Sequence, residues 1–153
     1  MPSTLVFREA QVADIPQLTS VRLSVLENRL SNPALVTYQH YVDYLSQRGK
    51  GWLCEVEGQA VGFGIVDLLG HSIWALFVQP EFAAQCIGKK LHDLMLNWYF
   101  AQTSEPVWLS TAPGTRAEEF YRRQSWQGTG RTTSGEVRFD MTVVEWSSKK
   151  AIG

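Results

Sequence analysis

The sequence predicts a single-domain α/β (α+β) fold, in which a mixed, mostly antiparallel, twisted sheet is flanked by helices. Three observations predict it. Short apolar runs alternate with helical periodicities in the order β-α-α-β-β-β-α-β-α-β-β. Of 153 residues, 44% are hydrophobic and 19% are charged, a composition typical of a folded protein. The length fits one domain over residues 1–153, with 147–153 as a flexible tail.

Charge and cysteine content exclude several functional classes. The net charge of −1 provides no basic surface for nucleic acid or an anionic membrane. No run is long enough to span a membrane, and Met1-Pro2-Ser3 begins no signal peptide, so we expect a cytoplasmic protein. Cys54 and Cys86 are not expected to form a disulfide. The three histidines lack metal-ligand spacing, so no metal site is expected.

The first part of the chain is predicted to form one strand and two helices. Residues 4–9 read as the strand, and Asp14 is the expected N-cap of the first helix. Asn32-Pro33 breaks the chain before a second helix over residues 37–46. The apolar positions that support the two helices are Ile15, Leu18, Val21, Val25 and Leu26 in the first, and Tyr38, Tyr41, Val42 and Leu45 in the second.

Three consecutive antiparallel strands are predicted next, over residues 52–56, 60–68 and 73–78, joined by short Gly-containing turns. A long amphipathic helix follows, and a further strand over 107–111 comes after it. Because a helix connects them, strands 73–78 and 107–111 are expected to be parallel neighbours. The apolar positions that define the helix are Ile87, Leu91, Leu94, Met95 and Trp98.

The last third is predicted to contain a short helix and a closing hairpin. Gly114 turns the chain, and Thr115 and Glu118 have the spacing of a capping box that begins a helix ending at Arg123. Residues 126–131 and 136–142 read as the two hairpin strands.

The junction between strand 73–78 and the long helix is the strongest candidate for a binding site. We expect the helix to begin near Ala83, directly after an extended segment, so its first backbone N–H groups lack partners within the helix. The side chains there are small: Ala83, Ala84, Cys86 and Gly88. Exposed N–H groups and the helix dipole together attract anions such as phosphate. An ordinary strand-loop-helix without a ligand is the alternative.

At this junction the sequence resembles the GNAT superfamily of acyl-CoA-dependent N-acyltransferases. In that family a strand ends in Val-x-Pro, and (Gln/Arg)-x-x-Gly-x-(Gly/Ala) then opens the helix that holds the CoA pyrophosphate. Val78 and Pro80 match the first part, and Ile87-Gly88 closes the second. Ala83 stands where Gln or Arg is usual, and Cys86 stands where the first Gly is usual.

A second stretch resembles the family's Asn-x-x-Ala-x-x-x-Tyr motif, which is followed by Gly and an aromatic residue. Ala117, Tyr121 and Trp126 match this pattern. Gly114 replaces the usual Asn, and Ser125 replaces the usual Gly. The two motifs have the family's spacing, and the predicted element order is that of the GNAT fold.

The resemblance implies an N-acetyltransferase that moves an acetyl group from acetyl-CoA to a primary amine of a small molecule or peptide by direct attack, with no metal. Tyr121 is the implied catalytic residue, as proton donor to the CoA thiolate. Backbone N–H groups of Phe77 or Val78 are the implied donors to the carbonyl oxygen. The implied cofactor-binding residues are Phe77, Val78, Ala83, Ala84, Gln85, Cys86, Ile87, Gly88, Lys89 and Gly114.

Several alternatives stay open at the level of sequence. A GNAT-fold domain that binds CoA without turnover is one, and a protein-interaction domain is another. Tyr121 would then be a packing aromatic. The general base is not identified: Asp67, His71, Glu136 and a water chain are all candidates. No motif identifies the acceptor amine, and a homodimer is the one assembly considered.

Overall fold

The computed structural model describes residues 4–25 and 36–152, with side chains as far as residue 149. The chain divides into two compact units, residues 1–99 and residues 100–153. Two predictions lie outside the described residues: Leu26 at the end of the first helix, and the break at Asn32-Pro33.

The first unit contains four antiparallel strands in the order β1-β2-β3-β4. Their bounds are β1 Leu5–Glu9, β2 Gly49–Val56, β3 Gln59–Asp67 and β4 Ser72–Val78. The helices are α1 Ile15–Ser24, α2 Tyr38–Asp43 and α3 Ile87–Gln102, which continues past residue 99. A 3₁₀ turn, Val12–Asp14, precedes α1, and a π-helical turn, Tyr44–Arg48, follows α2. The predicted helix over 37–46 is thus α-helical only as far as Asp43.

The expected cap of α1 is wrong in one respect. Asp14 occupies the N-cap position, but its side chain caps no N–H of α1. Instead its carboxylate accepts hydrogen bonds from the Arg8 guanidinium at 2.8 and 2.9 Å and from the Gln11 N–H at 2.8 Å. Arg8 also binds Glu55 at 3.0 Å. The carboxylate is better satisfied by a charged partner on β1 than by a single amide.

Two apolar clusters form the core of the first unit. One is packed around α1 and α2 and includes Ile15, Leu18, Tyr41, Phe63 and Ala75. The other surrounds the start of α3 and consists of Cys54, Val61, Ile87 and Leu91 with half-buried neighbours such as Phe82. Burial of these side chains holds the helices on the sheet.

The second unit contains three antiparallel strands in the order β5-β7-β6. Its elements are β5 Val107–Thr111, α4 Arg116–Arg123, β6 Gln127–Arg131, β7 Val137–Met141 and α5 Val143–Ile152. Alternate residues of β5 and β7 are buried, whereas all five residues of β6 are exposed.

Helix α5 replaces most of the tail that we expected over residues 147–153. It begins with a complete capping box: the Thr142 hydroxyl accepts the Glu145 N–H at 3.1 Å, and the Glu145 carboxylate accepts the Thr142 N–H at 2.9 Å. Trp146 is buried, and the Lys149 ammonium donates to the Gln124 carbonyl and side chain. The buried Trp146 and the contact of Lys149 with Gln124 stabilise this helix. The polar composition of the segment by itself does not predict a helix.

The chain therefore has the predicted α/β class: seven mostly antiparallel strands flanked by helices, in the predicted element order, with α5 added at the end. Among residues 4–25 and 36–152, no helix combines the length and apolar character needed to cross a membrane.

Candidate functional site

The junction between β4 and α3 differs from the prediction in one turn. Pro80–Gln85 forms a 3₁₀ helix, and α3 begins at Ile87 rather than near Ala83. The Gln79 N–H donates to the Val61 carbonyl at 2.8 Å, which ties the end of β4 to β3. The turn before the helix therefore contains Ala83, Ala84 and Gln85. The 3₁₀ helix ends at Gln85, and the next residue has a left-handed backbone, so α3 cannot begin earlier than Ile87.

Cys86 is the residue at which the twist reverses. Its φ of 60° and ψ of 19° lie in the left-handed region, which costs a residue with a Cβ about 1 kcal/mol relative to glycine. Its side chain is exposed. The conformation therefore belongs to the backbone path of the loop and is not stabilised by burial of the thiol.

The start of α3 presents backbone donors. The Lys90 N–H donates to the Cys86 carbonyl at 3.2 Å, so the N–H groups of Ile87, Gly88 and Lys89 precede the first hydrogen bond of that helix. Ala83 and Ala84 are exposed and small, and Gly88 has no side chain to cover these donors. The positive end of a helix of 16 residues adds to the attraction for an anion.

The exposed loop is held at both ends by apolar side chains. Ile87 is fully buried with Leu91 and Val61, and Phe82 packs against the same cluster. The ammonium of Lys89 is bound to Asp93 at 2.9 Å. The loop is therefore fixed by packing at Phe82 and Ile87, while the backbone between them remains accessible.

In the second unit, the chain enters α4 through a left-handed glycine. Gly114 has a φ of 76°, and the Thr115 hydroxyl accepts the Glu118 N–H at 3.3 Å. The Glu118 carboxylate accepts the Gly114 N–H at 2.7 Å rather than that of Thr115. The predicted capping box thus forms in a shifted version, and the Gly114 N–H already has a partner within the chain.

Tyr121 lies on the inner face of α4. Its side chain is 6% exposed and packs edge-on against Trp126, with ring centroids 5.5 Å apart, and against Phe139 at 6.2 Å. Burial raises the pKa of Tyr121 above that of an ordinary phenol. The hydroxyl is therefore protonated throughout the neutral range, and it gives up its proton less readily than an exposed tyrosine does.

The residues considered as bases are engaged with other groups. The Asp67 carboxylate binds the Arg48 guanidinium at 2.9 Å and accepts the Gly70 N–H at 3.0 Å. The His71 ring lies 2.9 Å from the Tyr99 hydroxyl, and Glu136 accepts a hydrogen bond from Ser110 at 2.9 Å. No group of three or more His, Cys, Asp or Glu side chains that could hold a metal occurs in the described part of the chain.

Tyr38 and Tyr41 were predicted to lie together on the second helix, as packing residues or as part of a substrate pocket, but sequence reasoning missed the cluster of aromatic and cationic partners that Tyr41 meets beside α1 and α2. Tyr44 stacks on Trp74, with ring centroids 4.2 Å apart and ring planes 12° apart. Tyr41 contacts the same indole edge-on at 5.2 Å, and the Arg22 guanidinium lies 5.0 Å from the centre of the Phe77 ring. The predicted Tyr38 is not part of it, since its side chain is 58% exposed. A hint was available in the spacing of Tyr41 and Tyr44, which lie on one helical face.

The sequence matches the model of the acetyltransferase (GNAT) family over residues 17–126, which is more than two thirds of the chain. The protein is a member of the GNAT family. The resemblance drawn from the two motifs is thereby confirmed. No curated protein matches the chain in sequence.

Solved structures of GNAT proteins share the fold. The acetyltransferase of the GNAT family from Staphylococcus aureus Mu50 superposes with a TM-score of 0.77 at 18% identity, covering 92% of this chain and 99% of that one. The PaiA N-acetyltransferase from Thermoplasma acidophilum, in complex with coenzyme A, gives 0.74 at 12% identity, covering 91% and 99%. The ribosomal-protein-S18-alanine N-acetyltransferase from Escherichia coli gives 0.70 at 14% identity, covering 90% and 92%.

Three of the four positions that depart from the GNAT motifs share one backbone property. Cys86, Gly114 and Ser125, with φ values of 60°, 76° and 71°, are all left-handed. Glycine and asparagine, which the motifs have at these places, are the residues that adopt this conformation most readily. The chain therefore keeps the backbone path that the motifs encode, although the side chains at two of these positions disfavour it. Ala83, the fourth departure, lies in the 3₁₀ turn.

Proposed function

We propose that this GNAT protein is an N-acetyltransferase that moves the acetyl group of acetyl-CoA to a primary amine of a small molecule or peptide. The observation that carries the proposal is the accessible start of α3, which follows β4 through the 3₁₀ turn Pro80–Gln85, in a chain that belongs to the family. Supporting it, a structure with the same fold was solved with coenzyme A. The proposal takes residues 1–153 as one GNAT domain acting in the cytoplasm, with no role for nucleic acid or membrane.

The proposed phosphate site is the start of α3. The N–H groups of Ile87, Gly88 and Lys89 would bind the CoA pyrophosphate, and the exposed loop from Ala83 to Cys86 would lie along it. The small side chains fit this role, because a phosphate oxygen must approach the backbone to about 3 Å. Gly114 has a weaker claim to contact the cofactor, since its N–H donates to Glu118.

In the proposed reaction the amine nitrogen attacks the thioester carbonyl carbon, a C–N bond forms and the C–S bond breaks. Backbone N–H groups at Phe77 or Val78 would stabilise the negative charge that develops on the carbonyl oxygen. The nitrogen loses one proton, and the CoA sulfur gains one. Tyr121 is the proposed donor of the proton that the CoA sulfur gains. Its raised pKa keeps the hydroxyl protonated, but it also makes proton transfer to the thiolate less favourable than from an exposed phenol.

The proposal is tested by measuring the melting temperature with and without acetyl-CoA, then assaying thiol release with a panel of amines. A rise in melting temperature together with acetylated product supports it. A rise without product on any amine would favour a domain that binds CoA without turnover, and no rise would favour an interaction domain. Light scattering on the same sample reports whether the chain forms a homodimer.

A further inference from the structure

Arg22 differs from the arginines that form ion pairs in the described residues. It lies in the last turn of α1, is half-buried, and its guanidinium sits over the Phe77 ring. Within the described residues, no carboxylate lies within ion-pair distance of it. The arginines that do pair with carboxylates are Arg8, Arg48, Arg122, Arg123 and Arg138. A half-buried positive charge beside aromatic rings is stabilised by cation–π attraction, and within residues 4–25 and 36–152 no carboxylate is paired with this one.

A buried tyrosine lies beside Arg22. The side chain of Tyr41 is 1% exposed, and its hydroxyl faces the side chains of Arg22 and Thr19. Burial raises the pKa of Tyr41, and the nearby positive charge of Arg22 opposes part of that rise. Tyr41 therefore helps to hold the Arg22 guanidinium beside the ring cluster, where its charge can attract an anionic ligand.

The stack of Tyr44 on Trp74 lies next to Tyr41. Tyr41 contacts the Trp74 ring edge-on and so links the stack to Arg22. On its other side the stack is anchored: the Arg48 guanidinium lies 5.2 Å from the centre of the Tyr44 ring and is held by the buried Asp67 carboxylate. Both stacked rings remain half-exposed. The stack is therefore a fixed apolar surface next to Arg22, a cation that pairs with no carboxylate in the described part of the chain.

Two backbone irregularities produce this arrangement. The π-helical turn Tyr44–Arg48 places Tyr44 over Trp74. In the pairing of β3 with β4, Ile65 faces Ala75 and Val66 faces Ile73, so Trp74 is the extra residue of a β-bulge. As a result, Trp74 packs against the same cluster as Ala75 and Phe77. Irregular turns and bulges of this kind often serve to aim side chains at a site.

We propose that Arg22 binds the carboxylate of the acceptor and that Tyr44 and Trp74 form the surface against which the acceptor's side chain packs. The acceptor class is then a free amino acid with an aromatic or apolar side chain. The inference rests on the proposed function only in taking the bound amine as the acceptor. Arg22 lies over the side chain of Phe77, whose backbone is a proposed donor to the reacting carbonyl, so a carboxylate at Arg22 would sit near the amine that reacts.

The test is calorimetric titration of the full chain with L-phenylalanine and with L-phenylalaninamide, each with and without CoA. The acid should bind at least about tenfold more tightly than the amide, since a charge-assisted hydrogen bond to a guanidinium is at stake. Arg22→Met should bring the two affinities within about twofold, whereas Arg22→Lys should keep part of the preference. Arg123→Met, which removes an exposed arginine on α4, is the matched control and should keep all of it.

The aromatic surface is tested with a second pair of ligands. The parent should bind phenylalanine at least about fivefold more tightly than alanine, and Tyr44→Leu should reduce that ratio. Equal binding of acid and amide by the parent, or a preference that survives in Arg22→Met, would overturn the inference and leave Arg22 as a stabiliser of the last turn of α1. Failure of the proposed function gives a different result: acetyl-CoA then leaves the melting temperature of the protein unchanged, regardless of the affinity for phenylalanine.

Discussion

Cys86 and Ile87 are adjacent in the chain but lie in opposite environments. The Cys86 side chain is exposed and its backbone is left-handed, whereas Ile87 is fully buried and begins α3. The pair sets the entry of the chain into the helix: one residue reverses the backbone twist, and the next anchors the first turn against Leu91 and Val61.

Replacing Cys86 by glycine should stabilise the protein. The left-handed conformation costs a residue with a Cβ, and no buried contact of the thiol is lost, so the free energy of unfolding should rise by about 0.5 to 1 kcal/mol. Cys86→Ala is the control and should give no gain, because alanine also has a Cβ. Denaturant unfolding measures both, and a loss of stability in Cys86→Gly would contradict the assignment.

The same residue should report on CoA. An alkylating reagent should label the exposed Cys86 much faster than the buried Cys54, whose pKa is raised by burial. Acetyl-CoA should slow labelling of Cys86, and Cys86→Gly should bind CoA more tightly than the parent. Identical labelling rates with and without acetyl-CoA would place the phosphate site elsewhere.

Gly88→Glu should abolish CoA binding without unfolding the protein. The added carboxylate would lie beside the N–H groups proposed to hold the pyrophosphate and would repel it. For the parent, CoA at 100 times its dissociation constant should raise the free energy of unfolding by about 2.7 kcal/mol. Gly88→Ala adds no charge and is the matched control. A full CoA-induced rise in melting temperature in Gly88→Glu would show that the phosphate site is misplaced.

Tyr121→Phe should lower turnover by about 100- to 10,000-fold while CoA affinity stays near that of the parent. The ring contacts with Trp126 and Phe139 survive, so the fold is kept. The exposed Tyr38→Phe serves as control. Thiol release on an accepted amine is the measurement. Turnover of Tyr121→Phe within about threefold of the parent would assign Tyr121 to packing alone.

Asp93 should contribute to stability at neutral pH and lose that contribution in acid. Partial burial raises its pKa, but hydrogen bonds from His92 and Lys89 outweigh this and lower the pKa to about 2. The native state thus favours the ionised form, and the contribution is complete above about pH 4 and lost as the pH falls towards 2. Asp93→Asn should lower the free energy of unfolding by about 1 to 2 kcal/mol at pH 7 and by little below pH 2.

Glu119→Gln is the control, since Glu119 forms an exposed pair with Arg123. It should lower the free energy of unfolding by under about 0.5 kcal/mol at either pH, as followed by thermal unfolding.

Much of this protein could be predicted from the order of its residues. Local periodicity predicted seven strands and four of the five α-helices that residues 4–25 and 36–152 form, and the Val78-x-Pro80 and Tyr121 motifs predicted the family. Thr142 and Glu145 also have capping-box spacing, so the start of α5 has a local signal in the sequence as well. These features depend on contacts between residues close in sequence, which is why a pattern predicts them.

Only the tertiary structure decided how the departures from the motifs are accommodated and which side chains meet. The left-handed backbone at Cys86 and Ser125 comes directly before a buried residue in each case, Ile87 and Trp126, and nothing in a cysteine or a serine predicts it. The burial of Tyr121 depends on Phe139, 18 residues along the chain. The stack of Tyr44 on Trp74 joins a residue of a π-helical turn to the extra residue of a β-bulge. Such irregularities arise where long-range packing outweighs local preference, and so they are visible only in the folded chain.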